Sequence, residues 1–222
     1  MSADHLVGAV CDRVDRIEIT DLSSWAGRQV APDVPDEASL TDVRALGEGL
    51  FALVYRVGTG ESRGLIVVLD AEAGREVDRF DGRFVLGSVH GGRVVAADGR
   101  ATDRWDFTSR LVVRDLGRHV STTIRNDRGG EFFHHPEASD PLDLRSIWVD
   151  GRLILAGSEE LWSVDPERAR IEEVPAVCAD GFHVYDGADI AYSNVMTAPG
   201  AVVVHCRAPG RSPYGTEIVG LR

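Results

Sequence analysis

An all-β chain built from repeated four-stranded antiparallel meanders is what this sequence predicts, and three observations predict it. Residues 145–175, RSIWVDGRLILAGSEELWSVDPERARIEEVP, hold four short apolar runs separated by turn signals: Asp150-Gly151, Gly157-Ser158 and Asp165-Pro166. No window in this stretch carries apolar residues at helical spacing over three turns. The third observation is a repeat. Runs ending in an acidic corner recur as Ile17-Glu18-Ile19-Thr20-Asp21, Val67-Val68-Leu69-Asp70, Val112-Val113-Arg114-Asp115 and Trp162-Ser163-Val164-Asp165. A fifth copy, Val203-Val204-His205-Cys206, lacks the acid. The corners are spaced by 49, 45, 50 and 41 residues. A second column, in phase with the first, marks a turn one strand earlier: Glu48-Gly49, Gly91-Gly92, Asp150-Gly151 and Asp186-Gly187. Meanders repeating at this period are the units of a small β-propeller, here of five blades with about four strands each.

With the strands of each blade lettered A to D outward, the elements follow in order. The first repeat (near 1–35) supplies B, C and D at 6–10, 17–20 and 29–31, with no A strand before them. The second (40–80) supplies 41–46, 50–57, 65–70 and 76–80. The third (83–125) supplies 84–89, 94–97, 111–115 and 119–124. The fourth (145–175) is the opening stretch, at 147–149, 153–156, 161–164 and 171–174. The fifth (181–222) supplies 182–185, 189–195, 201–206 and 217–221. The whole chain, 1–222, is expected to form one domain. The missing first A strand allows residues 217–221 to complete the first blade and close the ring by exchange. The rival architectures are an eight- to ten-stranded barrel or sandwich, with the sandwich disfavoured by the regular period, and an open fragment of a larger propeller.

The run Gly64-Leu65-Ile66-Val67-Val68-Leu69-Asp70-Ala71-Glu72-Ala73-Gly74 resembles the repeat of the quinoprotein-like and WD40-like propellers. Blades of those families also carry a glycine turn before strand B and an acidic corner after strand C. The resemblance is to the fold. Trp105-Asp106 is the single Trp-Asp dipeptide and falls in a loop rather than at a strand end, and no quinone cofactor is carried over. No cofactor is expected.

Composition narrows the function classes. The chain has 24 Lys and Arg against 36 Asp and Glu, a net charge of −12. Such a chain repels phosphate, so a nucleic-acid partner is not expected. A basic protein is the charged partner it would attract. Hydrophobic residues at 43% suffice for a packed core. No apolar run reaches membrane-spanning length, so no membrane partner is expected. The N-terminal MSADHLVGAVCDRVD has neither a basic region nor a long apolar run. Three scattered cysteines, Cys11, Cys178 and Cys206, do not form a disulfide framework. A reducing cytoplasm is the expected location.

Two long irregular stretches carry the candidate chemistry. Residues 98–109 connect strands B and C of the third repeat, and residues 125–144 connect its D strand to the next blade. Alternating strand direction puts both connections at the same end of the blades. Asp103, Arg104, Trp105 and Phe107 from the first insert belong to the candidate ligand site. Arg125, Asp127, Arg128, Phe132 and Phe133 from the second complete it. Aromatic walls with a few polar groups are the usual make-up of a small-molecule site. Asp106, His134, His135 and Glu137 are the candidate acid–base residues, because imidazole titrates near neutrality. Adjacent histidines on an extended strand point to opposite faces, so no metal site is expected from His134 and His135.

Gly60-Glu61-Ser62-Arg63-Gly64 matches the nucleophile-elbow pattern, but a strand rather than a helix follows it, and the motif fails. Arg207–Tyr214 (RAPGRSPY) is a basic corner that opens at the other end of the blades. The expected function is therefore a cytoplasmic binding propeller that recognises a protein partner or small ligand through its insert-bearing end. The alternative is a cofactor-independent hydrolase, isomerase or cyclase, with pairs such as Asp106 and His134 doing acid–base work in the pocket between the inserts.

Overall fold

The computed structural model describes residues 5–10, 13–58, 63–97, 110–125, 145–156, 161–174, 194–198, 201–206 and 215–219. Every regular element among them is a strand, and all strands pair antiparallel. The chain divides into two compact units, Met1–Thr123 and Ile124–Arg222.

The first unit holds three meander sheets. The first comprises β1 (His5–Val10), β2 (Arg13–Asp21) and β3 (Gly27–Val30). The second comprises β4 (Ala38–Gly47), β5 (Leu50–Val57), β6 (Arg63–Asp70) and β7 (Arg75–Asp81). The third comprises β8 (Val85–His90), β9 (Arg93–Ala97), β10 (Arg110–Asp115) and β11 (Val120–Arg125), the last strand running across the division between the units. In the second unit β12 (Arg145–Val149), β13 (Arg152–Ala156), β14 (Leu161–Asp165) and β15 (Arg170–Val174) form a fourth sheet. A fifth follows from β16 (Asn194–Ala198), β17 (Ala201–Cys206) and β18 (Gly215–Val219).

Both sequence columns are turn chemistry. The A–B hairpins close at Glu48-Gly49, Gly91-Gly92 and Asp150-Gly151, and both residues of each pair have positive φ, between 47° and 77°. That is the two-residue turn whose twist matches the flanking strands. The acidic corners open the C–D turns. Asp70 Oδ1 accepts from the Ala73 amide at 2.9 Å, and Asp115 Oδ1 from the Arg118 amide at 2.9 Å. Asp165 Oδ1 accepts from the amides of Glu167 and Arg168 at 3.0 and 3.1 Å. A carboxylate there satisfies amides that the sharp turn leaves without strand partners.

Four residues after each acid the backbone turns left-handed: Trp25 at φ 58°, Gly74 at 63°, His119 at 56° and Ala169 at 49°. One turn geometry is thus built four times, with a glycine at its left-handed position only once.

Packing explains the uninterrupted apolar runs of β5 and β6. Leu65, Val67 and Leu69 of β6, with Leu53 and Tyr55 of β5, are buried against Ile17 and Ile19 of the first sheet. Ile66 and Val68, with Ala52 and Val54, are buried on the opposite side against Val85, Val94, Ala96 and Val112 of the third sheet. The second sheet is covered on both faces, so its central strands have no polar alternation. Each fully buried side chain of this kind contributes about 1.5–3 kcal/mol. Gly64 permits a close backbone approach in the second sheet, since a Cβ there would stand 2.5 Å from the Gly82 carbonyl oxygen.

One sequence expectation changes and one alternative is decided. The strand expected at 189–195 is described instead as β16, reaching Ala198 and pairing through Ala198 with Ala201. Residues 189–193 fall outside the described residues, and the described strand runs three residues past the expected end at 195. β16 also lies against β12 within its unit as β8 lies against β4 within the first. Residues 182–185 fall outside the described residues. Second, β18 pairs with β17, and the first sheet consists of β1, β2 and β3. This is the place that the fifth repeat gives to 217–221; the exchange into the first blade is the alternative. Among the described residues no helix is long and apolar enough to cross a membrane.

Candidate binding site

Of the residues assigned a role from sequence, Arg125 alone is described. It ends β11 and is exposed. Asp103, Arg104, Trp105, Asp106, Phe107, Asp127, Arg128, Phe132, Phe133, His134, His135 and Glu137 lie outside the described residues, as does the corner 207–214.

The described residues bring a different group together, at the C–D end of the first two sheets. An open cavity of about 730 Å³ lies there, lined by His5 of β1, Asp21 of β2, Ser23, Ser24, Arg28 of β3 and Glu72. Strand parity explains part of the set. His5 pairs with Asp21 in the β1–β2 register, and Asp21 lies two and four residues beyond Ile19 and Ile17, whose side chains pack on the second sheet. The same sheet face that is apolar in the middle of the blade becomes polar where the strands end.

The rim is held by backbone chemistry. Asp21 Oδ1 accepts from the Ser23 amide at 2.7 Å, the Ser23 hydroxyl at 2.6 Å and the Ser24 amide at 3.0 Å. These bonds, the Ser23 hydroxyl foremost, lower the Asp21 pKa to about 2. Arg28 reaches across to the turn after β6, its Nη2 donating to the carbonyl oxygens of Ala71 and Glu72. Gly74 makes room for it: a Cβ at Gly74 would stand 2.8 Å from Arg28 Nε, and its backbone is already left-handed. Beside the cavity, Trp25 is 74% exposed and Leu22 37%.

A second polar group sits between the second and third sheets and is closed. Arg114 of β10 donates from Nε to Asp78 Oδ2 and from Nη2 to Asp78 Oδ1, both at 2.7 Å. Their side chains are 12% and 4% exposed. His119 Nδ1 lies 3.0 Å from Asp78 Oδ1, and the Arg79 amide donates to the same oxygen at 2.9 Å. The Arg114 guanidinium carbon stands 5.7 Å from the centre of the Phe80 ring. Burial pushes the Asp78 carboxyl up, but the hydrogen bonds from Arg114 and His119 outweigh it and hold the group below the usual carboxylate range. Both carboxylate oxygens are occupied, so this group clamps two blades together. Among the described residues no group of three or more His, Cys, Asp or Glu could hold a metal ion.

Sequence reasoning placed Asp21 in the acidic column but gave no role to His5, Trp25, Arg28, Glu72, Asp78, Arg114 or His119. The signal available was the turn column itself. The position four residues after each acid carries a tryptophan once and a histidine once, where glycine or alanine makes the same turn elsewhere.

No known protein family matches the chain. No curated protein matches it either. Among solved structures it is similar to the β-propeller domain of the Trilobed protease from Pyrococcus furiosus, whose reported topology is an open velcro. Identity is 18% and the TM-score 0.49, with 82% of this chain and 54% of that one covered. This chain therefore spans about half the length of that structure. The sheets themselves establish an all-β chain built of propeller-type blades.

Proposed function

We propose that this chain is a binding module that recognises a protein partner or a small ligand at the ends of its blades. The open cavity of about 730 Å³ at the C–D end of the first two sheets carries this reading. Its rim is braced by Arg28 and by the Asp21 turn, so the opening is pre-formed, and a pre-formed opening avoids ordering costs on binding. The inserts 98–109 and 125–144 belong to the same reading as further candidate contact segments, the second beginning at the exposed Arg125.

Site-specific photocrosslinking tests the proposal. A photoreactive residue is placed at Ala26 on the cavity rim, at Arg125, or at Thr122 on the outer edge of β11, and the protein is exposed to an extract of its source cells. One defined adduct is expected from Ala26 or Arg125 and none from Thr122, followed by a stoichiometric complex with the purified partner. Indistinguishable adducts from all three positions, or no complex on reconstitution, would overturn it. Adducts from Arg125 alone would assign recognition to the insert-bearing end.

A further inference from the structure

We infer that the cavity between β2, β3 and the turn after β6 receives a cationic side chain, carried by a basic segment of a partner protein, with Trp25 as its aromatic cover. This rests on the binding-module reading and names its partner class. Trp25 itself points first to an occupant. The same turn is made with Gly74 and with Ala169, so an indole is not needed to build it. In the third copy His119 folds back onto Asp78. Trp25 instead stays 74% exposed, beside the part-exposed Leu22. Trp25 stands in the chain between Ser24 and Ala26, which line the cavity, and a large aromatic kept in water there is what hot-spot residues of an interface look like before the partner arrives.

Charge then selects the occupant. Asp21 and Glu72 both line the cavity, and Arg28 is the cation among its lining residues. Arg28 directs its hydrogen bonds to the main-chain oxygens of Ala71 and Glu72, and the carboxylate of neither acid is its partner. The three donors that Asp21 accepts all converge on Oδ1, and among the described residues none donates to Oδ2. Two carboxylates with acceptor capacity, with an exposed tryptophan in the same turn and on a chain of net charge −12, complement an ammonium or guanidinium. The rim offers apolar contact to the stem of a lysine or arginine, and its carboxylates accept from the head.

A fluorescently labelled oligolysine peptide, titrated against the full chain at low and at physiological salt with anisotropy as readout, tests this. Asn at position 21 still accepts the turn amides, so Asp21→Asn with Glu72→Gln removes two charges while preserving the turn. Asp36→Asn with Glu37→Gln removes the same charge from the exposed connection between β3 and β4. Trp25→Ala, and the 21/72 pair, are each expected to weaken binding about five-fold or more, as loss of a cation–π contact or a charge-assisted bond does. The 36/37 pair is expected to change it less than about two-fold. Equal weakening by the two double variants would reduce the effect to the overall acidic surface and overturn the site. So would unchanged binding by Trp25→Ala. An oligoglutamate peptide whose binding depends on Trp25 would overturn the cationic occupant while leaving the binding-module reading standing. Cavity-dependent oligolysine binding without any defined photocrosslinked partner would do the reverse.

Discussion

The two contacts between sheets in the first unit are built to one plan and finished differently. Both bury alternate residues of β5 and β6 against a neighbouring sheet. Between the second and third sheets the polar end is sealed, with Asp78 and Arg114 joined by two bonds of 2.7 Å beneath His119. Between the first and second sheets the end stays open, and its arginine bonds to carbonyl oxygens rather than to a carboxylate. The same fold thus spends one arginine on closing a contact and another on propping a cavity open. A buried charge that is fully paired stabilises a particular packing, and one left with spare acceptors is available to a ligand.

The largest expected effect comes from breaking the sealed end. Asp78→Ala leaves the part-buried Arg114 guanidinium without its partner and is expected to cost about 3–5 kcal/mol in chemical denaturation. Replacing both, as Asp78→Leu with Arg114→Met, is expected to recover most of that loss, because the desolvation of both charges disappears together. A single-variant cost below about 1 kcal/mol would show that the contact is sealed by packing alone.

The apolar halves are expected to be equivalent. Ile66→Ala empties the side facing the third sheet and Leu69→Ala the side facing the first, and each is expected to cost about 2–5 kcal/mol. A much smaller cost for Leu69 would mean that the first sheet packs loosely, and that the cavity reflects poor closure rather than a built opening.

Acid sharpens the contrast. The folded pKa of Asp78 lies below its unfolded value, so the unfolded chain takes up the proton first as pH falls. The stability this group supplies is present above the unfolded carboxylate pKa near 4 and is lost as pH drops through the folded value. Unfolding curves collected downward from neutral pH should show that loss in the native chain, and a shallower one in Asp78→Asn. Identical slopes would place the acid sensitivity elsewhere.

The smallest effects come from the turns. Gly74→Ala puts a Cβ at a left-handed position and against Arg28, and is expected to cost about 1–2 kcal/mol. Trp25→Gly relieves the same backbone conformation and is expected to leave thermal stability unchanged or raise it by up to about 1 kcal/mol. A clear loss of stability in Trp25→Gly would make the indole a packing residue and remove it from the open site.

Much of the strand order was legible because it is written in local chemistry. Glu48-Gly49 and Asp150-Gly151 demand two positive φ values in succession, and Asp70 caps amides within three residues of itself. Such signals survive in a single sequence because both partners are close in the chain. The last repeat was read less well. Its strands β17 and β18 fall at 201–206 and 215–219, close to where the repeat puts them, while β16 runs on to Ala198 because the acidic and glycine columns carry no signal for where that strand stops. The inserts drew attention through their aromatics and histidines, while the described site is assembled from turn residues of ordinary composition.

The sequence by itself determined that the chain folds as antiparallel meanders, where the hairpins at Glu48-Gly49, Gly91-Gly92 and Asp150-Gly151 turn, and that an acid opens four of the C–D turns. Those features depend on hydrogen bonds and backbone angles spanning two to four residues. Only the tertiary structure decided which carboxylates are consumed and which remain available. Arg28 finds its acceptor 43 residues away and Arg114 finds Asp78 at a distance of 36, and nothing in the local pattern distinguishes the two arginines. Whether a charged side chain seals a contact or borders an opening depends on how neighbouring sheets meet. That is decided by the burial of β5 and β6 on both faces, and by which groups their packing carries to the ends of the strands.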